Sequence, residues 1–274
     1  VAFSVISPPR TPELRYATAL SLFLVMTLTV SAVLTRSVTL NTSVIYERSG
    51  SEERITLKSS GEAMVIDLSP RRKSQAYSTA NILSDERIPD LDSYFLTTYS
   101  TALPDYFDTL FRQIKVRNVY LPLPENESEE DILFKISEVC LRYGTDVTLY
   151  RQGEKLTLGS IELKSLYRSA LGDGAERTIL SFSYSGHSVA YLSSGVLGGE
   201  ITEKATDAIS SSDTVIFGCH GKGYSDTIHF TGMYPGVRRI ILSGNRMEIP
   251  DEILGYYESK NVSIEILPKK TVMN

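Results

Sequence analysis

The sequence predicts an α/β fold in which two β-sheets pack face to face with helices on their outer sides, preceded by one transmembrane helix. Two observations predict the sandwich. Short apolar strands come first as meanders and then alternate with helices, and this order occurs twice along the 274 residues. The composition, with 42% hydrophobic and 22% charged residues, is that of a globular protein with material for one large core. A third observation, an uncharged segment near the N-terminus, predicts the membrane helix.

The uncharged segment comprises residues 16–35 and lies between Arg15 and Arg36. Its 20 residues are enough to cross a bilayer, which needs about 20 apolar residues, and a helix of this sequence would have no polar face. It is longer than the apolar part of a signal peptide and begins later, so we interpret the chain as part of a longer protein. Arginines flank the segment equally on both sides, so the flanking charges do not predict its orientation in the membrane. The predicted divisions are a cytoplasmic or loop segment at 1–15, the transmembrane helix at 16–35 and the sandwich domain at 37–274.

The charge balance of residues 37–274 argues against a broad nucleic-acid-binding face. They contain 25 Lys and Arg against 32 Asp and Glu, a formal net charge of −7, whereas affinity for phosphates comes from excess cations. The two cysteines have neither a metal-ligand spacing nor a disulfide pattern, and Cys140 lies on an apolar helical face typical of a core. The glycine-rich stretches lack the patterns of phosphate and dinucleotide loops, so no cofactor is expected.

The first half of the domain begins with a meander and continues with strands and helices in alternation. Its strands are short β-rich runs that end at turn residues. Pro104 is typical of a helix start, and the acidic residues 125–131 favour the N-terminus of a helix that ends before Gly144. The predicted strands are 44–48, 55–58, 63–68, 92–97, 116–121, 147–150, 155–158 and 161–166, and the predicted helices are 104–114 and 132–143.

The second half opens with a hairpin that turns at Ser185 and Gly186. After it, helices and strands alternate as they do in the first half. The predicted strands are 178–184, 188–192, 214–217, 237–242 and 262–267, and the predicted helices are 200–210 and 250–259.

The strand at 214–217 is followed directly by residues that could perform chemistry, Gly218, Cys219 and His220. Loops at strand ends on a rigid scaffold often hold catalytic residues. An ordinary glycine turn with a small thiol and a half-exposed imidazole is the alternative interpretation. Neighbouring side chains on an extended loop point in different directions, so the two do not form a nucleophile and base pair.

Four motifs follow one another in an order that suggests a family. Gly61-Glu62-Ala63 precedes a strand that ends at Asp67, and residues 185–195 form a hairpin that ends in Ser-Gly. Gly218-Cys219-His220-Gly221 follows, and then come Ser243-Gly244-Asn245-Arg246 and Ile249-Pro250. Over residues 43–267 this series resembles the metallo-β-lactamase fold and, more narrowly, the C-terminal domain of ComEC-type DNA-uptake proteins. That resemblance implies an αββα sandwich.

The metal ligands that this resemblance implies are replaced. The family's His-X-His-X-Asp-His motif should follow the strand at 92–97, and its four ligand positions fall on Thr98, Ser100, Ala102 and Leu103. A catalytic zinc needs about three protein ligands, so we expect no metal and no catalytic residue. Other positions that match the family's motifs are Asp67, Val196 in place of a bridging Asp, Cys219 in place of the first His of a His-His-Gly turn, His220 as its second His, and Ile249 in place of a His before Pro250.

We therefore expect a non-catalytic, metal-free domain of a ComEC-like membrane protein that supports DNA uptake. The resemblance implies a cell-membrane location, an extracytoplasmic soluble domain and contact of the wider channel with single-stranded DNA. One alternative is a hydrolase or nuclease whose metal is held by a rearranged set, Asp67, Asp105, Cys219 and His220. Another is a membrane-tethered module that binds a protein partner.

Overall fold

The computed structural model describes residues 21, 23–27, 42–49, 52–68, 72–170, 177–193, 201–218, 234–243, 251–267 and 270–273. The chain divides into two compact units, residues 1–41 and residues 42–274. In the first unit, Ser21 and residues 23–27 are helical, and the rest of the predicted span 16–35 lies outside the described residues. Within the described ranges, no helix has both the length and the apolar character needed to cross a membrane.

The second unit contains two seven-stranded sheets. The first sheet has the order β14-β1-β2-β3-β4-β5-β6. Its strands are antiparallel from β14 to β3 and parallel from β3 to β6. The strands are β1 Ser43–Ser49, β2 Glu52–Ser59, β3 Glu62–Asp67, β4 Asp90–Leu96, β5 Lys115–Pro122, β6 Asp146–Tyr150 and β14 Lys270–Met273.

The second sheet has the order β13-β12-β11-β10-β9-β8-β7. It is antiparallel from β7 to β10 and parallel from β10 to β13. Ser185 and Gly186 both have positive φ, 47° and 83°, as a type I′ turn between β9 and β10 requires. The strands are β7 Lys155–Leu158, β8 Ile161–Arg168, β9 Thr178–Tyr184, β10 His187–Ser193, β11 Thr214–Gly218, β12 Arg239–Ser243 and β13 Ser263–Leu267.

Helices cover the outer face of each sheet. The core outside the first sheet includes side chains of α1, α2 and α3, and the core outside the second includes side chains of α4 and α5. A third core lies between the sheets, so the predicted αββα sandwich is confirmed. Cys140 is a core residue, as expected, and burial raises the pKa of its thiol to about 12. The helices are α1 Gln75–Asp85, α2 Leu103–Phe111, α3 Glu127–Tyr143, α4 Ile201–Ser210 and α5 Asp251–Ser259.

Strand periodicity sorts side chains between the layers. On β3, Val65 points toward the helices, whereas Met64 and Ile66 point into the core between the sheets. Both faces are buried, as expected for the parallel part of a covered sheet. Phe95 of β4 stacks on Tyr150 of β6 between the sheets, with ring centroids 4.4 Å apart.

Two elements are absent from the sequence prediction, the helix α1 and the strand β14. The α1 sequence QAYSTANILSD is rich in residues with low helix propensity, and it buries Ala76, Thr79 and Leu83, which form no strong apolar stripe. The four residues of β14 pair with β1, so the C-terminal strand returns from the second sheet to the first. The other predicted elements in the second unit are found, with ends shifted by a few residues.

Candidate functional site

The carboxyl ends of parallel strands from both sheets lie at one edge of the sandwich, which we call the carboxyl edge. Glu53, near the start of β2, lies beside the end of β3, where its carbonyl accepts a hydrogen bond from the Leu68 amide at 3.2 Å. The Glu53 side chain also reaches Ser243, the last residue of β12, at 2.6 Å. Ligands of open α/β sheets usually bind at such an edge, so the candidate site is here.

The loop after β4 contains the positions that the metal motif would occupy. Thr98 is buried, and the Ser100 hydroxyl is buried as well. Ala102 has no donor atom, and Leu103 is only 1% exposed within the core beneath the helices. An alkyl side chain has no ligand atom, and neutral hydroxyls are not the ligands that zinc prefers. This loop therefore does not fit the metal that the fold implies.

The same loop is held in place by Tyr99. Its hydroxyl donates a hydrogen bond to the Pro122 carbonyl at 2.7 Å, which ties the loop to the end of β5. Burial raises the pKa of the Tyr99 phenol, so this group stays protonated and keeps its donor at ordinary pH. The loop thus has a defined structural role without a metal.

Asp67, the acidic residue that ends the first motif strand, is engaged in a buried hydrogen-bond chain. The Tyr94 hydroxyl donates to its carboxylate at 2.6 Å and lies 2.9 Å from the Tyr106 hydroxyl. Tyr106 in turn donates to Thr79 of α1 at 3.0 Å, and Thr97 donates to the Asp67 carbonyl at 2.7 Å. These contacts lie on the helix side of the first sheet, where Asp67 orders the end of β3.

The alternative ligand set receives no support from the two members that the structure describes. Asp67 is buried, whereas Asp105 is exposed in the first turn of α2. Across the described ranges, no group of three or more His, Cys, Asp or Glu is arranged to hold a metal ion. The remaining motif positions, Val196, Cys219, His220 and Ile249, lie outside the described residues.

A buried carboxylate that the motifs did not indicate lies at the carboxyl edge. Glu53 is 2% exposed and accepts hydrogen bonds from Tyr191 of β10 at 2.7 Å and from Ser243 at 2.6 Å. Gly218, the last residue of β11, lies against it, and a Cβ there would overlap both the Tyr191 hydroxyl and the Glu53 carboxylate. We call Glu53, Tyr191, Gly218 and Ser243 the Glu53 cluster. It joins β2 of the first sheet to three strands of the second.

The surroundings of the Glu53 cluster keep the neighbouring Tyr46 phenol neutral. The Tyr46 ring lies 6.4 Å from the Tyr191 ring, between centroids. Burial and the charge of Glu53 raise the pKa of the Tyr46 phenol well above its ordinary value. A buried carboxylate loses its hydration, and short hydrogen bonds from hydroxyl donors offset part of that cost.

A second buried polar group joins the two halves of the domain near the ends of β4 and β5. Arg168, the last residue of β8, donates two hydrogen bonds to the Glu129 carboxylate of α3, at 2.9 and 2.8 Å. It also donates to the Leu123 carbonyl at 2.6 Å, and its guanidinium lies 5.7 Å from the centre of the Tyr99 ring. Burial opposes the charge, but Glu129 and Glu125 hold the pKa of Arg168 above its ordinary value. Such a two-point pair fixes geometry as well as charge.

Periodicity could have indicated Glu53 from the sequence. Ile55 and Leu57 of β2 point into the core between the sheets, and Glu53 lies two residues before Ile55 on the same face. The sequence does not show which hydroxyls surround it, because Tyr191 and Ser243 are 138 and 190 residues away along the chain.

No protein-family profile matches the sequence, and no curated protein matches it. Solved structures do match. The metallo-β-lactamase fold protein YhfI from Bacillus subtilis is 10% identical with a TM-score of 0.54, over 85% of this chain and 99% of YhfI. CmlA, a diiron β-hydroxylase from Streptomyces venezuelae, is 11% identical with a TM-score of 0.53, over 84% of this chain and 54% of CmlA. This chain thus spans about half the length of CmlA. Identities this low show the fold alone, and we conclude that the chain has the metallo-β-lactamase fold.

Proposed function

We propose that residues 42–274 form a non-catalytic, metal-free domain of the metallo-β-lactamase fold. The observation that carries the proposal is the loop after β4, where Thr98, Ser100, Ala102 and Leu103 occupy the positions of the four ligands. A catalytic zinc needs about three protein ligands and an open position for water. Leu103 is part of the core, so its position does not face a site.

The buried polar groups of the carboxyl edge support the same proposal. Asp67 is bound to Tyr94, and Glu53 is bound to Tyr191 and Ser243. These carboxylates hold strands and sheets together, which is a structural role. A domain of this kind would act by binding. The carboxylates at its carboxyl edge would form hydrogen bonds within the protein and would not hold a metal.

Elemental analysis of the purified full chain tests the proposal. We expect far less than one zinc, manganese or iron per chain after dialysis. About one tightly held metal per chain that survives dialysis would overturn it and favour the hydrolase. A Cys219→Ala/His220→Ala variant then shows whether that metal uses these two side chains. An Asp105→Asn variant tests the rearranged ligand set in the same way.

We further propose that residues 16–35 anchor this domain in a membrane. In the described part of this segment, Phe23, Leu24, Val25 and Met26 are each 58–68% exposed. Successive helical residues point about 100° apart, so four in a row present apolar surface on every side. Lipid is the surrounding that such a helix favours. Membranes washed with alkaline carbonate should retain the full chain, and a Phe23→Asp/Val25→Asp variant should be retained less. Release of the unmodified chain into the wash would contradict the anchor.

The wider role that we propose is support of DNA uptake in a ComEC-like protein with an extracytoplasmic domain. It rests on the order of the four motifs and on the apolar segment directly before the domain. Several hydrophobic spans upstream in the full reading frame would favour it. Deleting residues 42–274 from that protein should lower uptake of labelled DNA, whereas a Cys219→Ala/His220→Ala variant should retain it. Normal uptake after the deletion would exclude this role.

A further inference from the structure

The helix α3 exposes two large apolar side chains on the face that points away from the first sheet. Phe134 is 66% exposed and Leu141 is 83% exposed, the two highest values for large hydrophobic residues in the described part of residues 42–274. A spacing of seven residues places them on one side of the helix, about 10 Å apart. The opposite face of α3 packs into the core and buries Ile132, Ile136, Val139 and Cys140. The fold itself therefore does not require this exposed pair.

Carboxylates surround the apolar pair. At about 100° per residue, Glu127, Glu130, Asp131 and Glu138 lie within about 70° of the centre of the same exposed face. The described residues include no cation that forms an ion pair with any of the four. We call this face the α3 stripe; it comprises Glu127, Glu130, Asp131, Phe134, Glu138 and Leu141.

The basic residues of α3 leave the stripe acidic. Arg142 donates a hydrogen bond to Asp108 of α2 at 2.9 Å, so its charge is paired with a carboxylate of the neighbouring helix. Lys135 is exposed at the border of the stripe, where it offsets one of the four negative charges. The stripe thus combines two apolar side chains with an excess of negative charge.

We propose that the α3 stripe is a docking surface for a basic amphipathic segment of another protein. Such a segment places apolar side chains on Phe134 and Leu141 and its Lys or Arg residues against the four carboxylates. Anchors three, four or seven residues apart are typical of helix recognition. The stripe is about 21 Å long at 1.5 Å per residue, which is short, so the complex is of the small and transient class. This inference goes beyond the proposed function and is independent of the metal question.

Charge complementarity selects this partner over others. A second copy docked through the same face would bring four carboxylates against four carboxylates, which disfavours a symmetric dimer. Nucleic acid and anionic lipid are repelled for the same reason. A cationic segment is attracted before contact, and that attraction weakens as salt rises.

The test is a fluorescence-anisotropy titration of the full chain with a labelled 18-residue model helix of leucines and lysines. A control peptide carries glutamate in place of every lysine. We expect the cationic peptide to bind at least tenfold more tightly than the anionic one, and its affinity to fall at least tenfold between low and high salt. Equal binding of the two peptides would overturn the proposal.

Variants distinguish peptide binding at the α3 stripe from an effect of the overall charge of the protein. Phe134→Ser/Leu141→Ser and Glu130→Lys/Asp131→Lys/Glu138→Lys should each weaken binding of the cationic peptide at least tenfold. Tyr77→Ser removes another exposed ring, and Glu203→Lys/Asp207→Lys/Glu258→Lys makes the same change in net charge elsewhere. Both controls should bind within about twofold of the unmodified chain. Equal losses in the two charge-reversed variants would overturn the proposal, as would a dimer that the stripe variants dissociate.

Discussion

Glu53 of β2 accepts a hydrogen bond from Tyr191 of β10 at 2.7 Å, across the interface between the two sheets. Its other carboxylate oxygen accepts from Ser243 of β12 at 2.6 Å. Both donors are hydroxyl groups, and each carboxylate oxygen accepts one of them. One carboxylate therefore connects β2 to two strands of the second sheet.

The first prediction concerns Glu53→Gln. The amide has one oxygen and one NH₂ group, so it can accept from Tyr191 or from Ser243 but not from both in the present arrangement. Leaving a buried hydroxyl unpaired costs about 1–3 kcal/mol. We expect the free energy of unfolding to fall by that amount, measured by urea titration and followed by circular dichroism.

A matched control is Glu62→Gln on β3, where the side chain is exposed. We expect the control to lie within about 0.5 kcal/mol of the unmodified protein. If the two variants were equally stable, the Glu53 cluster would not contribute to the packing of the sheets.

The second prediction concerns Gly218. A Cβ at this position would overlap the Tyr191 hydroxyl and the Glu53 carboxylate, so Gly218→Ala must displace one of them. We expect a loss of about 1–3 kcal/mol, as for other overpacked sites. Tyr191→Phe removes the hydroxyl, so Gly218→Ala should cost less in that background. A double-mutant cycle measures this coupling, and additive losses would contradict the geometry.

The third prediction concerns the buried pair of Arg168 and Glu129. Arg168→Met leaves the Glu129 carboxylate buried without its cation, and breaking such a pair costs about 3–5 kcal/mol. Arg168→Met/Glu129→Gln should be more stable than Arg168→Met alone, because the buried charge is removed. The control Arg142→Met breaks an exposed pair with Asp108 and should cost at most about 1 kcal/mol. Chemical denaturation of the unmodified protein and the three variants measures their free energies of unfolding. Equal losses from Arg168→Met and Arg142→Met would contradict the prediction.

The layers of this fold could be predicted from the sequence because strand periodicity reports them directly. The run at 63–68 was predicted to be a strand, and in the structure Met64, Val65 and Ile66 alternate between two apolar environments. The turn at Ser185 and Gly186 was also predicted, since its residues tolerate positive φ.

The features that could not be predicted from the sequence depend on tertiary contacts. The α1 helix depends on its place against α2 and the first sheet, where the Tyr106 hydroxyl reaches Thr79. A polar helix with small buried residues gives little periodic signal. Glu53 and Arg168 are strand residues whose partners are distant in sequence, so the sequence could not show which groups they bind.

The fourth prediction is a pH dependence at Asp108. Partial burial works against its charge, but hydrogen bonds and charges of Tyr143, Arg112 and Arg142 hold the pKa of this carboxyl below its ordinary value. A depressed pKa in the folded state stabilises the fold above the unfolded pKa of about 3.9, and that stability is lost as pH falls through the folded value. Asp108→Asn should therefore be less stable than the unmodified protein near neutral pH, and the difference should shrink below about pH 4.

Thermal unfolding between about pH 2 and 7 measures this difference. Asp90→Asn, at the exposed start of β4, is the control for the loss of a surface carboxylate and should lie within about 0.5 kcal/mol of the unmodified protein near neutral pH. A constant difference across the whole pH range would show that Asp108 acts through packing and not through its charge.

The last prediction concerns DNA. Residues 37–274 have a formal net charge of −7, and the α3 stripe concentrates part of it on one face. Aromatic side chains of the kind that stack on bases are mostly committed to the cores; Tyr46, Tyr94, Tyr106, Tyr150, Tyr191 and Tyr257 are among the largest fully buried residues. We therefore expect this domain to bind single-stranded DNA weakly or not at all.

An anisotropy titration of the full chain with a short labelled strand, at low and moderate salt, measures this affinity. Glu130→Lys/Asp131→Lys/Glu138→Lys raises the net charge by six, and we expect it to bind DNA more tightly than the unmodified chain, because nonspecific affinity follows the number of phosphates that cations neutralise. Micromolar binding by the unmodified chain that weakens as salt rises would contradict the prediction. The basic residues Arg71, Arg72 and Lys73, which precede α1 in the sequence, would then be the first to replace with alanine.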